Sequence, residues 1–265
     1  MRADSRDDHP AHDKAQTKSG HLARVLALAA LLSLLSACGG DNGGDDPAKS
    51  LSSAATEIAD DLNEAAVDVG DPTLDDLADE VIDNARQLAR VAEPDYDDLG
   101  DLDETTDAVW SVNAAIERYM DRAATVAEGA ASEARAEAAL GAVERAASFI
   151  SDSSWHPGWA DLVRRWDVLN VEERAIDYEE RHRERYLEAG DKSSEVYAAW
   201  SGANAAYHVA RAEAAVAGFG DAAARRDASD ALAEASNNRD DAQADLDRAG
   251  EDWNYFYDLI VWRDG

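Results

Sequence analysis

An all-α fold, an elongated multi-helix bundle with a C-terminal antiparallel heptad hairpin, is what three features of this sequence predict. Alanine supplies much of the apolar content, which at 45% of 265 residues is ordinary for a chain that buries a core. β-branched runs of the kind that form strands are absent, and apolar residues recur instead at spacings of three and four. A seven-residue repeat over the last third of the chain belongs to helices packed along their length.

The first element precedes the body. Between Arg24 and Cys38 the chain carries no charge, and Val25 to Leu35 form an apolar run of 11 residues. That is shorter than the roughly 20 residues that span a bilayer, and it fits the central region of a signal peptide. Leu35, Ser36, Ala37 and Cys38 then resemble the lipobox of bacterial lipoproteins. The resemblance implies cleavage before Cys38, the only cysteine, and a diacylglyceryl group on its sulfur. Residues 1–37 are therefore expected to be a signal peptide. Asp4, Asp7, Asp8 and Asp13 are unlike a short basic leader, and a start nearer Leu22 would give a cleaner signal. Residues 38–49 are expected to form an acidic, glycine-rich tether, and residues 50–265 the helical body.

In the body, Leu51, Ala54, Ile58, Leu62, Ala65 and Val69 mark one helical face, broken by Gly70, Asp71 and Pro72. Thr73 is the expected cap of the next helix, which carries Leu74, Leu77, Val81, Ala85 and Leu88 and stops by Pro94. After an acidic loop, Val109, Val112, Ile116, Tyr119, Ala123 and Val126 begin a third pattern. It either continues to Ile150 or breaks near Gly129 or Gly141, and periodicity does not choose between them. The stretch Ser151 to Asp161, with Pro157 and Gly158, reads as a loop, and Leu162, Trp166, Leu169 and Ile176 as a helix ending near Gly190. From Ser193 onward Val196, Ala203, Ala210 and Ala217 recur every seven residues, and beyond Gly218 to Asp221 so do Ala228, Ala235, Ala242 and Ala249. Two such helices about a four-residue turn read as a hairpin with a close seam. Trp253, Tyr255, Phe256, Tyr257 and Trp262 then overhang it and need an earlier segment, near Ile176, Tyr178 and Tyr186.

The formal charge is -32, from 57 acidic and 25 basic residues. Such a surface repels nucleic acid and anionic headgroups, so nucleic-acid binding is not expected. It suits a protein adapted to high salt, in which self-repulsion is screened within about 3 Å at 1 M. No phosphate-binding loop, nucleophile elbow or zinc-protease motif occurs, which predicts no catalytic residues, no cofactor and no resident metal. Glu179 and His182 have the Glu-x-x-His spacing of di-iron bundles, but the second copy such sites need is missing. Asp95, Asp97, Gly100, Asp101 and Asp103 follow part of a calcium-loop pattern, with Leu99 and Thr106 where ligands belong, so weak divalent-cation binding is the most this loop predicts.

The expectation is a lipid-anchored, extracytoplasmic envelope protein that faces the periplasm. It is held to the membrane through Cys38 and acts as a non-catalytic scaffold for an envelope protein partner. Gly39 in place of aspartate after Cys38 favours an outer membrane where one exists. Trp155, Trp159 and Trp166 are candidates for an interaction patch, because tryptophan is enriched at binding hot spots, with core packing as the competing role. The alternative function is binding of a small ligand or cation in a pocket near these tryptophans. An internal aromatic pocket with convergent polar groups would favour it.

Overall fold

The chain buries its alanine- and leucine-rich stripes by stacking helix on helix, and each helix begins and ends where the local chemistry stops it. The computed structural model describes residues 46–151, 155–174 and 180–261. Among these residues there are seven helices and no strand. They are α1 (Pro47–Val69), α2 (Pro72–Arg90), α3 (Leu99–Glu128), α4 (Glu133–Ile150), α5 (Trp155–Arg174), α6 (Glu180–Ala217) and α7 (Ala222–Val261). None of the described helices is long and apolar enough to cross a membrane.

Asp46 caps α1, its Oδ1 accepting from the Ala48 N–H at 3.0 Å, and Pro47 sits where no N–H is required. The helix thus starts three residues before the body boundary expected from the pattern, and Ala48 is fully buried. Gly70 closes α1 at φ 64, with its N–H on the Ala66 carbonyl, a left-handed turn that favours glycine. Asp71, not Thr73, caps α2: its Oδ1 accepts from the Leu74 N–H at 3.1 Å, because Pro72 occupies the first helical position and leaves the cap one residue earlier. The α3–α4 break falls at Gly129 to Ser132. Ser132 caps α4, while Gly141 continues inside it.

Helices α1 to α4 close a ring. Each packs on the next, and α4 returns to pack on α1. Leu51, Leu62, Leu74, Val81, Leu88, Val112, Ile116 and Val143 are at most 1% exposed inside it, and each fully buried Leu or Ile contributes roughly 1.5–3 kcal/mol. Tyr119 crosses the ring, its hydroxyl donating to the Leu62 carbonyl at 2.9 Å. Helix α5 then lies against α1, α3 and α6. The predicted loop before it is largely helical: α5 starts at Trp155, with Pro157 and Gly158 inside its first turn, where proline removes no helical hydrogen bond. A Cβ on Gly158 would stand 3.2 Å from the Leu51 side chain, so this start rests directly on α1.

The largest departure from the sequence pattern is α6, which runs straight through Gly190 and Ser193 where an end and a new start were expected. Glycine costs about 1 kcal/mol in a helix interior, but here it is needed for close approach. A Cβ on Gly190 would lie 2.1 Å from Asp167 Oδ2 on α5. Gly190→Ala is therefore expected to destabilise the protein by about 1–3 kcal/mol in urea unfolding, despite the better helix propensity of alanine. Stability equal to wild type would show that Asp167 can move aside.

Helix α7 turns back on α6 through Gly218 to Asp221, and these two helices share the most extensive interface in the molecule. Asp221 caps α7 by accepting from Ala223 and Ala224. The Arg239 guanidinium lies 3.9 Å over the Tyr207 ring, and Tyr186 stacks on Trp253 at 6.4 Å between centroids. Tyr186 is thus a partner of Trp253 and Tyr257, whereas Tyr255, also expected to pack there, is 60% exposed, and Ile176, Tyr178 and Trp262 lie outside the described residues. On α7 the positions Ala228, Leu232, Ala235, Arg239, Ala242, Leu246 and Trp253 are half-buried, Ala249 is buried, and most others are exposed.

Candidate functional site

Between α3, α5, α6 and the far part of α7 lies a cavity of about 200 Å³. This is below the roughly 300–1,000 Å³ of sites for drug-sized ligands and suits a group of a few heavy atoms. Helix α3 supplies Asp103, Asp107 and Trp110, spaced i, i+4 and i+7, with Thr106 beside them. Helix α5 supplies Trp159, Val163 and Trp166 at the same spacing, so both walls are single helical faces. Gly190, Ser193 and Ser194 of α6 and Trp253 of α7 complete the lining.

Four of the chain's seven tryptophans therefore meet at one cavity. Trp110 and Trp159 stand 5.5 Å apart at 47°, and Trp166 and Trp253 6.3 Å apart at 65°. Neither pair is stacked flat: the first is tilted and the second meets edge to face. Trp110 is 45% exposed, whereas Trp159 is 5% exposed. Among the described residues that line the cavity none is basic, and Asp103 and Asp107 are both exposed acids.

The expected interaction patch is corrected by this geometry. Trp155 is wholly buried, donating from Nε1 to Asn113 Oδ1 at 2.7 Å and packing on Phe149 at 4.6 Å. Trp159 and Trp166 line the cavity instead of the outer surface. Trp159 is buried there and Trp166 half-buried. Sequence reasoning singled out Asp103 only within the acidic loop and Trp253 only as an overhanging aromatic, and missed Trp110 and Asp107 altogether. The i, i+4, i+7 spacing of Asp103, Asp107 and Trp110 was the available signal for three of them.

Behind Gly190 lies a buried polar cluster. Tyr186 donates to Asp167 Oδ1 at 2.5 Å, and Asn170 Nδ2 donates to the Tyr186 hydroxyl at 3.4 Å. Burial pushes the Asp167 carboxyl up to about 7, against the hydrogen bond from Tyr186, which lowers it. A carboxyl raised in the folded state contributes most below its unfolded value near 4, and that contribution is lost as pH rises through about 7. Asp167→Asn is thus expected to remove a fall in melting temperature between about pH 4 and 7. An unchanged pH profile would show the carboxyl to be ionised throughout.

A second concavity, of about 740 Å³, is an open groove on α2, α3 and α6. Its charges are largely committed: Arg118 donates to Glu80 at 2.6 Å, Arg122 to Asp71 at 2.7 Å, and Arg211 to Asp121 and Glu128 at 2.7 and 2.8 Å. Burial pushes Glu117 up to about 7 and His208 down to about 4. The neutral His208 ring accepts from Arg211 at Nδ1, at 3.3 Å.

In the acidic loop the carboxylates serve the backbone. Asp98 accepts from Gly100 and Asp101, Asp95 from Asp97, and Asp101 from Asp95. Among the described residues no three His, Cys, Asp or Glu side chains are placed to hold a metal ion. Cys38, Glu179 and the His182 side chain lie outside the described residues. Comparison with known proteins finds no matching family model, no matching curated protein and no matching solved structure.

Proposed function

We propose that this chain is a lipid-anchored protein of the cell envelope whose helical body binds a small ligand and works without covalent chemistry. The observation that carries the binding half is the aromatic cavity, the feature that separates a ligand-binding body from a pure scaffold. A bundle that only scaffolds gains nothing from leaving four tryptophans around an open space, because filling that space would add stability. The anchoring half rests on the apolar run and on Leu35 to Cys38. It places the protein outside the cytoplasm, facing the periplasm on the outer membrane where the envelope has one.

Scaffolding is the second reading, and α7 favours it, since one stripe is half-buried on α6 and the rest of a 40-residue helix is open. Thermal unfolding of the full-length chain with choline, glucose, citrate or phenol separates the two. A ligand at about 100 times its dissociation constant stabilises by about 2.7 kcal/mol, so at least one compound should raise the melting temperature, and Trp110→Ala should abolish the rise. No rise with any of the four would leave the scaffold reading in its place. In cells, Cys38→Ala should block both the attachment of lipid and the removal of residues 1–37, read by mass spectrometry.

A further inference from the structure

We propose that the cavity between α3, α5, α6 and α7 takes an alkylated ammonium group, held against the indole rings with Asp103 and Asp107 supplying the balancing charge. This rests on the ligand-binding reading above and adds the chemical class. Two observations exclude two other classes, anions and hard metal ions. An anion would meet two carboxylates and no basic side chain at the cavity, inside a chain of net charge -32. Repulsion would oppose its entry and nothing there would hold it.

A hard metal ion needs six or so oxygen ligands, and no three acidic or histidine side chains converge among the described residues. Stripping its water against indole walls would go uncompensated. An alkylated ammonium is different. Its charge is spread over an apolar, weakly hydrated shell, which indole faces attract within about 6 Å of the ring centroid. A compact group of this kind matches a cavity of about 200 Å³. The carboxylates lie on the same face of α3 as Trp110, one and two turns before it, so charge and ring reach the ligand from one wall. Trp110 is 45% exposed although it sits between Trp159 at 5.5 Å and Tyr197 at 4.8 Å. A ligand in the cavity would cover part of that exposed ring.

The test compares two probes of the same shape, choline chloride and 3,3-dimethylbutan-1-ol, in which a carbon replaces the charged nitrogen. Tryptophan fluorescence of the full-length chain is titrated with each, at constant ionic strength set with sodium chloride. The expected result is saturable quenching by choline and at least tenfold weaker binding of the alcohol. Asp107→Asn should weaken choline by about threefold to tenfold, and Trp110→Ala should remove the saturable signal while far-UV circular dichroism stays native. If the alcohol binds as tightly as choline, the charge inference is overturned and the cavity still counts as a ligand site. If neither probe binds and none of the four compounds above raises the melting temperature, both readings fall.

Discussion

Trp155→Ala is expected to cost about 3–5 kcal/mol, the largest single effect available in the fold. Trp155 is the largest wholly buried side chain among the described residues. Its removal leaves a void where α5 meets Phe149, and it strips the Asn113 carbonyl of its donor. Asn113 is 1% exposed, so no water-facing route replaces that bond. Urea unfolding followed by circular dichroism reads the loss as a lower midpoint at unchanged slope. Trp155→Phe keeps most of the volume and should recover more than half of it. A cost below about 1 kcal/mol for alanine would mean that α5 is only loosely seated on the ring.

The second large effect is expected at Asp71. This residue caps α2 and receives a two-pronged ion pair from Arg122, Nε to Oδ1 at 3.0 Å and Nη2 to Oδ2 at 2.7 Å. The hydrogen bond from Arg122, more than any other cause, holds the Asp71 carboxyl below its usual range. The cap is worth about 1 kcal/mol. The Asp71 side chain is 10% exposed but that of Arg122 is 34% exposed, so the pair is discounted to the low side of buried pairs. Asp71→Ala should therefore cost about 2–3 kcal/mol at pH 7, and Asp71→Asn, which retains a capping oxygen, about half as much. A carboxyl lowered in the folded state stabilises above its unfolded value near 4, and that stability is lost as pH falls through the lower folded value. The two variants should accordingly approach wild type as pH falls from about 4 toward 2. A constant gap across that range would show that the loss comes from backbone rearrangement and not from charge.

The helical stripes were legible because 3.6-residue periodicity survives in single residues such as Leu51, Ile58, Leu62 and Val69. So were the breaks at Gly70 to Pro72 and at Gly218 to Asp221, where two or more chain-turning signals coincide. Gly190 was misread because a glycine that ends a helix and a glycine that lets two helices touch are the same letter. Only the position of Asp167 separates the two roles. Thr73 was preferred to Asp71 as a cap because both have capping side chains, and Pro72 between them decides the register. The cavity was the least legible feature. Trp159 and Trp166 were visible as a pair, but Trp110 joins them through the packing of α5 on α3 and Trp253 through the return of α7 along α6, tertiary events with no local signature.

The ring formed by α1 to α4 has a consequence for the order in which the molecule assembles. Its interfaces join α1 to α2, α2 to α3 and α3 to α4, all sequence neighbours, and the closing contact of α4 with α1 needs no later residue. Contacts short in sequence form fastest, because little loop entropy is lost before they are made. A chain that emerges N-terminus first can therefore complete the ring while α5, α6 and α7 are still unfolded. The α6–α7 pair then adds as a second local unit. The aromatic cavity, which draws one wall from α3 and its last tryptophan from α7, is whole only when both units are in place.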